Sequence, residues 1–379
     1  MAPGTTVTVS RQSLQSDLDP TPAITEVKNL ASYSWIEART PTIAVPGIPP
    51  QWVPSKIPRQ LPKDSGYVYV AQNAARHPES PLEPLFRALY KTNPEFSISS
   101  IDVVSDRNNI RKLFSFVDPS SCTYGLESFT IEVEATKNTV ILSRAEVVTR
   151  EFIGPNDFRG YGHEFEKSHT TCKIKDSTGH HRISSYRFSN LNFIIRYEVD
   201  AYVEGSSGKA SGSRELDPDV LSSALDSLSV SSSSNVGKAT RIPGSRMAIR
   251  SEGQVVPPDS ILEIKTRAAR KPLFLNDVAV QLWVSQTPKL VRAHHRAGRF
   301  EEPEVEDVRS RIRSWECENQ RALGKLAALI RKIISTVKGF DSRKGVIKYD
   351  SIRDTLKITE VNRAPFLPMD LYSKWNDQK

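Results

Sequence analysis

The middle of the chain alternates between apolar and polar residues in the manner of half-buried β-strands. Two such stretches, 129–135 (FTIEVEA) and 139–145 (TVILSRA), are separated by a Lys-Asn pair, and two more flank a Ser-Asn pair at 189–190. Period-two alternation interrupted by short turns that contain asparagine is typical of antiparallel hairpins. The pattern therefore predicts two β-hairpins between residues 100 and 200, and a further strand at 259–268.

Other segments place apolar residues three and four positions apart, which is the spacing of an amphipathic helix. This spacing predicts a helix at 81–92, a second from 277 to the Thr-Pro pair at 287–288, and one long helix over 304–338 that ends at Gly339. A strand is expected directly after the Thr-Pro pair, because proline disfavours continuation of the helix. Together these elements predict an α+β fold, with mixed β-sheets flanked by helices.

The composition changes along the chain and divides it into segments. Residues 1–30 are polar and rich in Ser and Thr, which predicts a mobile N-terminal segment. We expect residues 31–379 to form a single domain, which is within the size range of one large α/β domain. Inside it, residues 205–257 are dominated by Ser, Gly and other small residues, and we expect a flexible insertion there.

Net charge and cysteine content narrow the class of protein. The formal net charge of +8 and the pI near 9.3 favour polyanionic partners, although many basic proteins never bind nucleic acid. Cys122, Cys172 and Cys317 are scattered without a C-x-x-C pair, which argues against a disulfide framework and a cysteine zinc site. No stretch has the apolar content of a signal sequence or a membrane span. We therefore expect a protein of the nucleus or cytoplasm that is not secreted and has no membrane partner.

Two tripeptides combine charged residues with an apolar centre on predicted strands, Glu198–Asp200 (EVD) and Glu263–Lys265 (EIK). Side chains at positions i and i+2 of a strand share a face and lie about 6.7 Å apart, so the charged pairs project together while Val199 and Ile264 turn inward. Converging carboxylates are typical ligands of a hard cation, and E-x-K is a signature of nucleases that place a lysine beside the attacking water. Amphipathic strands with a solvent-exposed face are the commoner explanation of each tripeptide taken alone, and they explain the two together about as well as a cation site does.

Three further blocks make the chain resemble a known family. RGYGHEFEK offers a third acidic position at Glu166, IDVVSDRNNIRKL offers Arg107, and VAVQLWVSQTPKLV offers Gln281 or, as the weaker choice, Gln286. Together with the two tripeptides, these blocks stand in the order found in the DXO-type decapping exoribonucleases. The chain resembles this family, as a divergent member, over residues 80–300.

The resemblance implies a D-(D/E)-x-K nuclease core that binds two Mg²⁺ or Mn²⁺ ions. Their ligands would be four carboxylates and one backbone carbonyl, namely Glu166, Glu198, Asp200, Glu263 and the carbonyl of Ile264. Lys265 would position or deprotonate the attacking water, and Gln281 would orient the water or a phosphate. Arg107, Lys265 and Gln281 would contact the substrate, while Glu263 and Asp200 would join Lys265 and Gln281 in the catalytic set.

The reaction implied by the resemblance is hydrolysis of a phosphodiester just inside the 5′ end of RNA. It would release an incomplete, unmethylated or NAD-type cap, or pyrophosphate, and 5′→3′ exoribonuclease digestion of the remaining RNA stays open. The sequence departs from the family where Asp106 and Asn108 flank Arg107 in place of Trp and Gly. Two other functions therefore stay open: a weakly active or inactive member that binds and stabilises a nuclear 5′→3′ exoribonuclease, and a DNA nuclease with the same core.

Overall fold

The computed structural model describes residues 4–14, 22–54, 58–122, 125–205 and 238–376. Its largest element is a 12-stranded mixed sheet. In spatial order its strands are β1 (Thr6–Val9), β22 (Thr355–Glu360), β21 (Lys344–Asp350), β8 (Phe129–Thr136), β9 (Thr139–Ala145), β7 (Val103–Asp106), β13 (Leu191–Glu198), β12 (Ser177–Phe188), β2 (Ile24–Ile36), β3 (Thr42–Gly47), β16 (Ala248–Gly253) and β15 (Thr240–Arg241). Strand β7 runs parallel to both β13 and β9, and β3 runs parallel to β16.

A second sheet of eight strands packs beside the large one. Its strands are β11 (Thr170–Thr171), β4 (Gln51–Trp52), β14 (Ala201–Tyr202), β17 (Ile261–Ala268), β18 (Lys289–Arg296), β19 (Arg299–Phe300) and β5 (Arg59–Gln60), with β20 (Val305–Asp307) paired to β18. Strands β17 and β18 are parallel. A separate two-stranded ribbon pairs β6 (Gly66–Tyr69) with β10 (Arg150–Ile153).

Helices cover both faces of the large sheet. The α-helices of the described residues are α1 (Gln72–Arg76), α2 (Glu83–Thr92), α3 (Arg107–Val117), α4 (Gly162–His169), α5 (Asn276–Ser285), α6 (Arg309–Glu318), α7 (Gln320–Lys338) and α8 (Met369–Tyr372). Ile195 of β13 packs in a core cluster with residues of α3, α5 and α7, whereas Ile194 faces a cluster that contains α2. The α+β class with mixed sheets flanked by helices is therefore confirmed. None of the helices within the described ranges has the length and apolar character needed to cross a membrane.

Both predicted hairpins are confirmed. Strands β8 and β9 pair antiparallel, as do β12 and β13. Ser189 and Asn190, between β12 and β13, have φ angles of 51° and 64°. Two consecutive positive φ values are those of a type I′ turn, whose twist matches that of the strands it joins. The helices predicted at 81–92 and from 277 are also confirmed, as α2 and α5.

Residues 304–338 form three elements where the spacing predicts one long helix. Val305–Asp307 is a strand paired with β18, where Glu306 forms an ion pair with Arg292 at 2.6 Å. Helix α6 then ends at Asn319, whose side chain donates to the carbonyl of Trp315 at 2.7 Å and satisfies the helix end. Apolar spacing continues across this break, so periodicity alone did not reveal it.

The expectation of a mobile N-terminal segment also differs from the structure. Thr6–Val9 pairs with β22 at the edge of the large sheet, and β2 begins at Ile24. The alternating, β-branched sequence TVTV was the signal for this edge strand. Of the predicted insertion 205–257, residues 206–237 lie outside the described residues, whereas residues 240–253 contain β15 and β16.

Candidate active site

Glu198 and Asp200 lie where the chain passes from the large sheet to the second one. Strand β13 ends at Glu198 in the large sheet, and β14 begins at Ala201 in the second. Val199 between the two carboxylates is buried, as the alternation predicts. The carboxylates are therefore presented from a crossing between sheets and not from the interior of one strand.

Strand β17 fixes the second of these carboxylates. It pairs antiparallel with β14, and the amide N–H of Ile264 donates to Oδ2 of Asp200 at 2.7 Å. Ile264 is itself buried, as expected. The structure thus shows the N–H of Ile264 at the site, and the role of its carbonyl as a metal ligand stays a prediction.

Glu263 is the centre of the hydrogen-bond network. Its side chain is 2% exposed and accepts three hydrogen bonds from residues of three different elements. Lys265 Nζ donates to Oε1 at 2.6 Å, Gln281 Nε2 donates to the same oxygen, and an Arg107 guanidinium N–H donates to Oε2 at 3.0 Å. The structure therefore brings together the residues predicted from three separate sequence blocks.

The charges around Glu263 determine its ionisation. Burial alone would raise its pKa, but the charges and hydrogen bonds of Lys265 and Arg107 outweigh burial and lower the pKa to about 2. Burial alone would lower the pKa of Lys265 and of Arg107. The negative charges of Glu263 and Asp200 outweigh burial and raise both pKa values above their ordinary values. Glu263 is ionised and both cations are protonated at neutral pH.

Glu166 approaches the site from α4. The carboxylate of Asp64, which is buried, accepts a hydrogen bond from the backbone N–H of Glu164 at 3.0 Å in the first turn of this helix. Gly162 opens the helix against β17, since a Cβ there would stand 3.3 Å from the hydroxyl of Thr266. This close approach of backbone to strand brings the next turn of α4 towards Lys265.

Three of the four carboxylates hold protons more tightly than usual. Burial raises the pKa of Glu166 to about 7, opposed by the charge of Lys265 and assisted by the charges of neighbouring carboxylates. The pKa of Asp200 is raised well above its ordinary value by burial and by Glu263 and Glu166. Glu198 is exposed to an open cleft. Its pKa is nevertheless raised, because the surrounding protein atoms displace water from the carboxylate; the charge of Arg107 opposes this rise and the charge of Glu263 adds to it. Crowded carboxylates repel each other, and the site therefore favours either protons or added positive charge.

Gln281, and not the alternative Gln286, belongs to the site. Gln281 lies on helix α5 and its side-chain amide donates to Glu263. Arg111 donates to Oε1 of the same Gln281 amide at 3.3 Å. Gln286 lies past the end of the helix with a φ of 52°, where its side chain donates to the carbonyl of Trp283. The alignment on Pro288 that favoured Gln281 is consistent with this geometry.

Two residues that position the site were missed in the sequence. Arg196 is 1% exposed and forms a bidentate ion pair with Asp106, in which Nε donates to Oδ1 at 2.6 Å and Nη2 donates to Oδ2 at 2.9 Å. Asp106 directly precedes Arg107, so this pair fixes the start of α3 against β13. Period-two alternation already placed Arg196 on the same face as Glu198, and a charge inside the apolar run FIIRY was the available signal.

A cavity of about 260 Å³ opens beside Glu198 and Arg107. Arg111 also lines it, as does Arg144 in its ion pair with Glu146, and both add positive charge to the cavity. Burial and the neighbouring charge of Arg107 lower the pKa of Arg111. Within the described part of the chain Arg111 forms no ion pair with a carboxylate, and its hydrogen bond is to the side chain of Gln281. Such a cavity suits a ligand that carries phosphate groups.

Comparison with known proteins gives a family and a fold. A model of the family described as a domain of unknown function (DUF8563) matches residues 7–365. The chain belongs to this family. Among curated proteins, none matches the sequence.

The fold of the chain is similar to that of several solved structures. Scheffersomyces stipitis Rai1 matches with a TM-score of 0.58 at 12% identity, over 98% of each chain. Candida albicans Rai1, in complex with pU5-Mn²⁺, matches with a TM-score of 0.56 at 10% identity, over 98% of this chain and 99% of that one. K. lactis Dxo1, in complex with manganese, matches with a TM-score of 0.50 at 12% identity, over 94% and 98%. The fold is that of Rai1 and Dxo1, which confirms the fold expected from the resemblance.

Proposed function

We propose that this protein is a divalent-metal-dependent hydrolase of RNA 5′ ends. The observation that carries the proposal is the gathering of four carboxylates from three chain segments around Lys265 and Arg107. Glu263 is paired with these two cations, whereas Glu166, Glu198 and Asp200 form no ion pair among the described residues, and a cluster of carboxyl groups with raised pKa values is typical of a functional site. The shared fold with Candida albicans Rai1, solved with pU5-Mn²⁺, and with K. lactis Dxo1, solved with manganese, supports the same reaction class.

Mg²⁺ and Mn²⁺ are the ions that we propose for this site. Its donors are carboxylate oxygens, which hard divalent cations prefer, and the raised pKa values of Glu166, Glu198 and Asp200 reflect a surplus of negative charge. In the conformation seen, no three His, Cys, Asp or Glu side chains of the described residues could hold a metal ion, and Glu263 faces cations instead. The donor set fits the ions by its chemistry, and binding requires the side chains to rearrange. When bound, the ions would stabilise the attacking and leaving oxygens of an in-line displacement.

Lys265, Arg107 and Gln281 supply the other groups that we propose for the reaction. Lys265 donates a hydrogen bond to Glu263, and we propose that in the reaction it positions or deprotonates the attacking water. Arg107, with its raised pKa, is a permanent cation for the scissile phosphate. Gln281 is held between Arg111 and Glu263, and it would orient the water or the phosphate through its fixed amide.

We further propose incomplete, unmethylated or NAD-type caps and 5′ pyrophosphates as the groups released. S. stipitis Rai1 was solved with (3′-NADP)⁺ and calcium, and it matches this chain with a TM-score of 0.57 at 12% identity. The cationic cavity beside Glu198 is where a 5′-terminal nucleotide of this kind would be held. Continued 5′→3′ digestion and a location in the nucleus or cytoplasm belong to the same proposal.

A panel of 5′-labelled RNAs tests the proposal directly. The panel contains triphosphate, monophosphate, unmethylated-cap, methylated-cap and NAD-cap ends, each incubated with Mg²⁺, Mn²⁺ or EDTA. We expect release of a 5′ product that requires the metal and that falls about 100- to 1,000-fold in Glu263→Gln, because removal of one central group of this kind costs several kcal/mol of transition-state stabilisation. Glu204→Gln, an exposed carboxylate paired with Lys173, serves as the matched control with unchanged rates.

The same panel separates the alternatives. Cleavage of DNA oligomers as fast as RNA would favour a DNA nuclease on the same core. Absence of turnover on every 5′ end, together with co-purification of a 5′→3′ exoribonuclease, would favour a binding partner. Full activity of Glu263→Gln would contradict the assignment of this carboxylate to catalysis.

A further inference from the structure

The two-stranded ribbon of β6 and β10 exposes an aromatic face. Phe152 pairs with Tyr67 and Arg150 pairs with Tyr69 in its register. Because alternate side chains of a strand share a face, all four of these side chains project from the same side. Tyr67 is 76% exposed and Phe152 is 57% exposed, whereas Ile153 on the opposite face is buried. The ribbon is thus attached to the body by one face and leaves its aromatic face in solvent.

The exposed rings are already arranged as a contact surface. The centroids of Tyr67 and Phe152 are 4.9 Å apart, and the guanidinium of Arg76 lies 4.9 Å from the centroid of Tyr69. Nearby, the exposed ring of Phe158 has the ammonium of Lys63 at 5.6 Å from its centroid. Contiguous apolar surface of this kind marks an interaction site in a soluble protein, and the interleaved cations indicate that its ligand is anionic.

Both strands of the ribbon lead into the candidate active site. Residues 70–74, which follow β6, line the cavity that also contains Glu198 and Arg107, and Tyr69 itself lines this cavity. The segment that follows β10 leads into α4, which carries Glu166. The aromatic face is therefore continuous, through Tyr69, with the cavity where a 5′ end would bind.

The charges on the route fit the backbone of a nucleic acid. Arg111 and Arg144 line the cavity, and Arg150 stands on the aromatic face without an ion-pair partner among the described residues. Alternating phosphates and flat bases would match this sequence of cations and rings, because every base can stack on an aromatic side chain. Arg150 and Arg111 have no ion-pair partner among the described residues, so an apolar protein surface would leave both without a counter-charge, whereas Arg144 is already paired with Glu146.

We propose that the β6–β10 ribbon is a stacking platform for the bases of single-stranded RNA that extend from the active site. This inference rests on the proposed function, because it assigns the ribbon to the same substrate. Tyr67 and Phe152 provide the rings, and Arg150 contacts the backbone between the stacked bases. Recognition of this kind is tolerant of base sequence.

The test is a binding titration in EDTA, so that no cleavage accompanies it. The probes are a ten-nucleotide single-stranded RNA with a 5′ monophosphate and a 3′ fluorophore, and the same oligomer with abasic sites from the third nucleotide onward. We expect Tyr67→Ala/Phe152→Ala to bind the normal RNA at least about ten-fold more weakly, since one base stack contributes roughly 5- to 150-fold. Its affinity for the abasic oligomer should equal that of the wild type. Ile352→Ala, at another highly exposed apolar position, is the matched control.

A second variant keeps the apolar surface but removes the rings. Tyr67→Leu/Phe152→Leu should weaken RNA binding as the alanine pair does, whereas Tyr67→Phe/Phe152→Tyr should bind as the wild type does. Unchanged RNA affinity in both ring-free variants, or equal losses for the normal and abasic oligomers, would overturn the stacking platform. These results are independent of turnover: RNA binding through the ribbon without any 5′-end cleavage would refute the proposed function alone, and cleavage with unaltered binding in the ring-free variants would refute the ribbon alone.

Discussion

Glu263 neutralises two cations of the site, so its replacement by glutamine is expected to reduce stability as well as activity. Glutamine has nearly the shape of a protonated glutamate, and the variant therefore approximates the wild type with this one proton bound. The pKa of Glu263 is lowered from 4.5 to about 2, which corresponds to about 3 kcal/mol of interaction that favours the ionised form. Glu263→Gln should thus lower the free energy of unfolding by about 3 kcal/mol at pH 7.

The pH dependence of this loss is specific. Because the folded pKa lies below the unfolded one, the stabilisation by Glu263 is fully present above about pH 4.5 and is lost as the pH falls towards 2. The part of the difference between wild type and variant that comes from the ionisation of Glu263 itself should therefore be present in full at pH 5 and above and should shrink in more acidic solution.

Urea denaturation followed by circular dichroism, at pH 7, 5 and 3.5 and without divalent ions, measures these differences. Glu204→Gln should change stability by less than about 1 kcal/mol, because its ion pair is exposed. A Glu263→Gln variant as stable as the wild type at pH 7 would refute the reasoning. It would mean that Arg107 and Lys265 do not depend on this carboxylate.

Three further predictions concern the rest of the site. Asp106→Asn should lower the free energy of unfolding by about 3–5 kcal/mol, because it leaves the buried Arg196 without its counter-charge; urea denaturation should show part of this loss recovered in Asp106→Asn/Arg196→Met, and equal stability of the single variant and wild type would contradict the pairing. The apparent affinity for Mn²⁺ should rise between pH 5.5 and 8, since Glu166 with a pKa of about 7 must release its proton to bind the ion; calorimetry in buffers of different ionisation enthalpy should detect this proton, and a pH-independent affinity would count against Glu166 as a ligand. Gln281→Glu should raise the pKa of Glu263 and abolish activity, because it replaces a donor to this carboxylate with a second negative charge; activity retained at pH 7 would show that the donor is dispensable.

Several features of the fold follow from local sequence. The two hairpins follow from period-two alternation and from turns that accept positive φ, as at Ser189 and Asn190. Helix α2 follows from apolar spacing and carries its buried face where that spacing places it, whereas α5 is buried at every position from Val278 to Ser285. Such elements are set by contacts between residues close in the chain, so a pattern of a few residues suffices to predict them.

Other features depend on contacts that no local pattern contains. The strand at Thr6–Val9 exists because β22, about 350 residues later, offers a free edge. The strand at Val305–Asp307 likewise depends on pairing with β18, although the apolar spacing is that of a continuous helix.

The sequence by itself determined which residue types this site uses: four carboxylates, a lysine, an arginine and a glutamine in a recognisable order. Only the tertiary structure decided how they are paired. Glu263 is paired with positive charges, Asp200 accepts a hydrogen bond from a backbone N–H, and the pKa of Glu166 is raised to about 7. Electrostatic interactions depend on distance and on burial, and both are fixed where two sheets and three helices meet. Spacing along one strand therefore predicts which charges share a face, but not which of them neutralise each other.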